Sequence, residues 1–282
     1  MAIITHNKNI TELRLIKAWV GSLMTMFMVA TLSACSTTHP EHSICDLKVL
    51  SLQIPRQSQE VVQYAGPSAL DNLKNSQEKF NQALAIVHKK YANHNDVDKM
   101  LKEGEAINAN IDVIIKHQDR LVAIQDFNIL IQEITPEIQA EYNLVTDRMA
   151  RLNYPSNQVV IAKNQVFLAG RFLNSLEKIS GGEEHLLDNI DDFLADVETF
   201  NAYLKAQLQG NTELGVVRVK DAEVRESLES IQEKTETILQ SNMFSFLKKP
   251  KPLAVAYQAA RGNVTKSDEF FNSLIKLELN TQ

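Results

Sequence analysis

LLDNIDDFLADVETFNAYLKAQL, residues 186–208, is the stretch that decides the fold of this chain. Leu186, Ile190, Phe193, Val197, Phe200, Leu204 and Leu208 step by fours and threes, the spacing that lines one face of an α-helix. At ~1.5 Å per residue the stripe runs about 35 Å, enough to bury one face of a helix in an antiparallel bundle. The same pattern returns over Ile124, Phe127, Ile131, Ile134, Ile138, Tyr142, Val145 and Met149. It returns again over Leu253, Tyr257, Ala260, Val264, Ser267, Phe271 and Leu274. No sustained alternation of period two interrupts these segments, so the chain is predicted to be all-α.

Breakers divide the helical pattern into eight segments. Gly66-Pro67, Asn93 to Asp96, a polar turn at His117–Asp119, Tyr154-Pro155-Ser156-Asn157, Gly181-Gly182, Gly210-Asn211 and Lys248 to Pro252 fall between periodic runs. Ser156 or Asn157 is suited to cap the fifth helix. Pro136 lies inside the fourth stripe, whose apolar spacing continues past it, so it predicts a kink and not an end. Pro55 removes one hydrogen bond from the first helix and is expected to bend it. A break in the middle of eight helices predicts two tandem antiparallel four-helix-bundle modules, residues 46–153 and 154–282. The halves also resemble each other. Phe80-Asn81-Gln82-Ala83-Leu84 matches Phe200-Asn201-Ala202-Tyr203-Leu204, and Leu50-Ser51-Leu52-Gln53-Ile54 falls opposite Leu168-Ala169-Gly170-Arg171-Phe172. The offset drifts from 118 to 120, and Ile114 opposite Ile238 continues the series. A duplicated helical module accounts for this order.

The N-terminus reads differently. Lys8, Arg14 and Lys17 precede an uncharged apolar run from Ala18 to Ala34, the anatomy of a secretory signal over residues 1–34. Leu32-Ser33-Ala34-Cys35 resembles the lipobox of bacterial lipoproteins, with cleavage between Ala34 and Cys35 and lipid attachment at Cys35. An uncleaved signal anchor is the alternative, but the run is rich in Ser, Thr and Gly for a spanning helix. Residues 35–45 then form a tether. Ser36 after the cysteine resembles the sorting signal that releases a lipoprotein to the outer membrane. The expected location is the cell envelope, lipid-anchored and facing the periplasm, with the membrane as partner through the N-terminal lipid. With Cys35 lipidated, Cys45 is a leftover cysteine, expected in an intermolecular pair or hidden by packing. His39, His42 and Cys45 are spaced by three, but Pro40 makes a flexible tether the better reading, and no metal site is expected.

The full chain holds 29 basic and 35 acidic residues; loss of Lys8, Arg14, Lys17 and Glu12 leaves 26 against 34, a net charge of −8. An acidic chain with scattered lysines lacks the basic face a nucleic-acid partner requires. A hydrophobic content of 44% supplies a core, which excludes a disordered polypeptide. No Gly-x-Ser-x-Gly elbow, His-Glu-x-x-His motif or phosphate-binding glycine loop is present, so no enzyme and no cofactor are expected. Glu183-Glu184-His185 opens the sixth helix, where acidic residues suit the positive helix end. Asp191 and Asp192 point apart on that helix and read as solvated surface.

Several fragments have a familiar look. They are Tyr154-Pro155 through Glu177-Lys178-Ile179-Ser180-Gly181-Gly182, Phe200 through Leu208-Gln209-Gly210-Asn211, and Val219-Lys220-Asp221-Ala222-Glu223-Val224-Arg225. Leu47 to Arg56 and Gln139-Ala140-Glu141-Tyr142 add a looser match in the first half. Together they resemble the periplasmic N-terminal domain of the type IV pilus methyl-accepting chemotaxis transducer family (PilJ). The resemblance implies tandem helical bundles, similar to the sensor domain of nitrate-responsive kinases, that bind a small ligand or an envelope partner and catalyse nothing. It also implies a role for Arg171 in the fifth helix, because an arginine on the leading helix of related sensors holds the anion through paired donors. Arg56 is the counterpart to consider in the first module. The bland alternative for Arg171 is a stem laid over the bundle edge, or a pair with Asp196 or Glu198.

The expected function is therefore a non-enzymatic, lipid-anchored sensor-like domain, linked to type IV pili or chemosensing and with no signalling domain of its own. Its partner would be a small anion or an envelope protein, with a second copy of the chain kept in view. The alternative is a structural envelope scaffold lipoprotein that takes no small molecule.

Overall fold

A computed structural model describes residues 42–94, 96–182 and 185–280. The described residues form nine α-helices: α1 His42–Tyr64, α2 Pro67–Tyr91, α3 Val97–Lys116, α4 Gln118–Arg151, α5 Ser156–Ser180, α6 Leu186–Gln209, α7 Ala222–Gln240, α8 Asn242–Leu247 and α9 Lys251–Leu279. Asn211 and Val216 make an isolated antiparallel bridge in the loop before α7. The signal sequence, Ala34, Cys35 and His39 lie outside the described residues. So do Glu183 and Glu184.

Helices form where the stripes predict them, with two differences: α1 begins at His42, inside the tether expected over residues 35–45, and the short α8 is an additional helix. All seven apolar residues of the α6 stripe are buried, worth roughly 10–20 kcal/mol at ~1.5–3 kcal/mol each, an upper bound because the unfolded chain already shields part of that surface. Two stripes shift in detail. In α4 the inner position falls on Thr135, and Ile134 is only half-buried. In α9 Asn263 and Phe270 take the inner places expected for Val264 and Phe271. Both registers fit a period of 3.6, and packing chooses between them. Asn263 Nδ2 donates to Ser58 Oγ at 2.9 Å, and the Phe270 ring meets Phe80 at 5.0 Å. Helix α4 runs unbroken through Pro136, and α1 runs unbroken through Pro55. Helix α5 starts at Ser156 behind Pro155, with no side-chain cap, so neither Ser156 nor Asn157 caps it. Cys45, half-buried in the first turn of α1, is disulfide-bonded and no free thiol, which corrects its reading as a leftover cysteine.

Two four-helix bundles are present, but they are not assembled in chain order. Helices α1, α2, α3 and α9 pack as one ring, and α4, α5, α6 and α7 pack as the other. The division at residues 153 and 154 therefore separates two sequence repeats and not two bundles. Each repeat contributes three helices to its own bundle and sends its fourth, α4 or α9, into the other. The cause lies at His117, the single residue between α3 and α4. Connections that fold one helix back on another need about 2–8 residues, so α4 runs onward out of the first bundle. At the other crossing, Ser241 Oγ accepts from Phe244 N to start the short α8, which leads into α9.

The bundles meet end to end. At the junction, the Tyr257 hydroxyl of α9 donates to the Ser180 carbonyl at 2.8 Å, and Arg261 Nη1 donates to the Gly182 carbonyl at 2.6 Å. Arg120 at the start of α4 covers the Phe246 ring of α8, 4.4 Å from its centroid. Both ends of the described chain lie at the opposite end of the first bundle. There Lys48 pairs with Glu278 at 2.5 Å, and Asn280 Nδ2 donates to Asp96 Oδ2 at 2.9 Å. None of the helices in the described residues is long and apolar enough to cross a membrane.

Candidate functional site

The second bundle holds an interior polar seam beneath an outer cleft. Helix α5 presents Ile161, Asn164, Leu168 and Arg171 along one face by steps of three and four, and Phe167 lies beside them. With Gln165 and with Tyr203 of α6 they line a cleft of about 340 Å³, inside the ~300–1,000 Å³ range of ligand sites. Phe167 is 63% exposed at its rim. Gln165, the innermost lining residue, donates through Nε2 to the Phe200 carbonyl at 2.8 Å and to the Tyr142 hydroxyl oxygen at 3.4 Å. The Tyr142 hydroxyl in turn donates to Gln207 Oε1 at 2.9 Å. Burial pushes the Tyr142 phenol well above its usual range, so it stays a donor. The Tyr142 ring packs edge-on against Phe200, which does the same with Phe172, fixing the seam among aromatic neighbours.

Arg171 reaches the rim of this cleft and is more than half exposed. Its Nε stands 2.9 Å from Oδ2 of Asp196, a buried carboxylate of α6. The two charges touch, but the N–H does not aim at that oxygen, which has no hydrogen-bond partner. Burial raises the Asp196 pKa, Arg171 opposes the shift, and neighbouring Asp192 adds to it. The pairing expected with Asp196 or Glu198 is thus made with Asp196, while Glu198 stands 4.0 Å from Lys248. The remaining donors of the guanidinium are free to meet a ligand in the cleft.

Arg56 does not join this site. It is exposed on α1, away from the second bundle's cleft. The internal repeat gives the reason: at the offset of 118 residues, Arg171 corresponds to Gln53 and Arg56 to Asn174. Asn164, Gln165, Phe167 and Tyr203 were not singled out from sequence, although 161, 164, 168 and 171 share one helical face. Asp191 and Asp192 are solvent-exposed, as their spacing predicts. Among the described residues, no group of three or more His, Cys, Asp and Glu side chains is arranged to hold a metal ion.

A second charged cleft lies at the far tip, where Arg148 of α4 meets the start of α7. Arg148 Nε donates to Asp221 Oδ1 at 2.8 Å, and Nη1 pairs with Glu223. Asp221 also caps α7 by accepting from Val224 N at 3.0 Å. Hydrogen bonds from Arg148 first, and from Val224 N second, hold the Asp221 carboxyl below its usual pKa. The Arg148 guanidinium is thereby engaged in structure.

Fold and site together define a two-bundle all-α module with an arginine at the rim of a surface cleft. Two proteins are similar to it in sequence. Protein PilJ of Pseudomonas aeruginosa is 25% identical over 202 residues, 67% of this chain, and the putative methyl-accepting chemotaxis protein AlkN of Alcanivorax borkumensis is 24% identical over 204 residues, 71% of this chain. These stretches make up 29% and 30% of the relatives' own lengths, so the chain spans about a third or less of either. No family model matches the chain. Over the shared stretch the chain is similar to parts of these two proteins.

Proposed function

We propose that the protein is a non-enzymatic, lipid-anchored envelope module that senses or presents a small anion, working beside pilus or chemosensory machinery. The observation that carries this reading is Arg171 at the rim of the cleft between α5 and α6, with Asn164, Gln165 and Tyr203 lining the same space. Resemblance to chemotaxis transducers supports it. A ligand at 100 times its Kd stabilises a protein by ~2.7 kcal/mol, or roughly 5–10 °C in a chain of this size. Nitrate, nitrite and small carboxylates are therefore screened by thermal shift against wild type and Arg171→Ala. A shift lost in the variant is the expected result. The absence of any shift across the screen refutes the anion reading. It would favour the scaffold, to which the existing Arg171–Asp196 contact already lends weight.

The anchor is tested separately. Acyl chains at Cys35, worth ~0.8 kcal/mol per buried methylene, should give palmitate labelling that is lost in Cys35→Ser. The chain has only two cysteines, and one sulfur cannot hold both a thioether lipid and a disulfide, so the disulfide at Cys45 weighs against the anchor unless a second chain supplies its partner. Palmitate-labelled protein that runs as a disulfide-linked dimer on a non-reducing gel is the result the anchor requires. Unlabelled protein that runs as a monomer refutes the anchor.

A further inference from the structure

The internal repeat places a second cleft at the same register in the first bundle. Ser43, Asp46, Val49, Leu50 and Gln53 of α1 line it. Adding 118 gives Ile161, Asn164, Phe167, Leu168 and Arg171, all of which line the α5/α6 cleft. On the second wall, Ala83 of α2 corresponds to Tyr203 of α6 at the offset of 120. The match of positions makes the two clefts duplicates of one ancestral groove.

Their chemistry has diverged. The guanidinium and both aromatic walls are gone from the first-bundle cleft, and its volume is about 450 Å³ against about 340 Å³. It has gained a carboxylate, Asp46, and an ammonium, Lys79 of α2. Neither is ion-paired among the described residues. Helices α1 and α2 are antiparallel about Ala65-Gly66, so Lys79 falls near the level of Gln53, seven residues from Asp46. Seven residues of helix span ~10 Å. The negative end of the groove is thus about 10 Å from its positive, amide-bearing end, with Val49, Leu50 and Ala83 between them.

We infer that the first-bundle cleft is a binding site for a short zwitterionic peptide. The peptide's ammonium meets Asp46, and its carboxylate meets Lys79 and Gln53. An extended chain advances ~3.3–3.6 Å per residue, so three residues match the separation of the charges. The missing walls leave room for small side chains over Val49 and Ala83. This site is distinct from the anion site and does not depend on it.

Isothermal titration of the full chain with trialanine tests the assignment, with N-acetyl-trialanine-amide as the blocked control. Wild type is expected to bind trialanine and not the blocked peptide. Asp46→Asn and Lys79→Gln, both at exposed positions, should each weaken binding about tenfold, the loss of one charge-assisted contact. Arg171→Ala should leave it unchanged, which separates failure here from failure of the anion reading. Absence of heat with trialanine, equal binding of the blocked peptide, or wild-type affinity in both Asp46→Asn and Lys79→Gln would overturn the inference. Loss of trialanine binding in Arg171→Ala would place the peptide in the other cleft and overturn it as well.

Discussion

Gly182→Ala should be among the most damaging single-methyl additions in the protein, and its cost can be divided into two parts. Gly182 has φ +64°, and a Cβ built there would lie 2.2 Å from Cδ1 and 2.6 Å from Cε1 of Tyr257. The ring cannot swing away easily, since Tyr257 is buried and its hydroxyl is held by the Ser180 carbonyl at 2.8 Å. The left-handed backbone costs an alanine ~1–2 kcal/mol, and overpacking adds ~1–3 kcal/mol. A stiffer unfolded chain returns ~0.4–1 kcal/mol. Gly215 supplies the control, because its φ is +66° and no atom lies within 4 Å of its Cβ position. Gly215→Ala carries the backbone cost and the unfolded-state gain without the clash. The difference between the two variants is therefore the clash alone, ~1–3 kcal/mol, or roughly 2–12 °C in Tm at ~2–4 °C per kcal/mol. Scanning calorimetry on both proteins measures it. Melting points within about 1 °C of each other would refute this account of how the junction packs.

Two further outcomes follow from the polar contacts. Tyr142→Phe leaves Gln207 Oε1 without its donor in a buried seam and should cost ~1–3 kcal/mol in urea unfolding, whereas Tyr142→Phe combined with Gln207→Leu removes both partners and should recover most of that loss. A single variant as stable as wild type would show that the seam contributes nothing. Asp221→Asn keeps a good helix cap but removes the charge that Arg148 holds. The folded pKa of Asp221 is lowered, so its contribution is present above the unfolded value of ~3.9 and lost as pH falls through the folded one. The stability gap between variant and wild type should be constant near neutrality and close below about pH 4. A gap that persists into acid would assign the effect to something other than charge.

The helices were legible because their evidence is local. Gly66-Pro67, Tyr154-Pro155 and Gly181-Gly182 stop one apolar stripe and start the next, and the structure breaks at each. Partner choice was harder to read, since a stripe such as that of α9 fits against any neighbour of similar width. The exchange of α4 and α9 was nonetheless encoded in something missing: between Lys116 and Gln118 there is no room for a hairpin. Choices between adjacent residues, Asn263 over Val264 and Thr135 over Ile134, depended on the far wall of the bundle and could not be read from one helix alone. At the cleft, Arg171 announced itself as a charge in an apolar helix. Its companions are ordinary residue types whose relation appears only when two helices are set side by side. The same offset that matched the two halves was already sufficient to place Gln53, and not Arg56, opposite Arg171.

The packing of the first and last helices also governs how the molecule responds to force. Helices α1 and α9 are antiparallel neighbours, and the described chain enters and leaves at the same end of the first bundle. Tension applied across that end would peel α9 from α1 one turn at a time, beginning at Lys48–Glu278, without shearing whole faces past each other. The second bundle bears none of this load until α9 has been stripped back to the junction at Tyr257. A tug on the base would thus open the first bundle in graded steps and leave the second as an intact bead, a ratchet-like yield that follows from connectivity and not from contact strength.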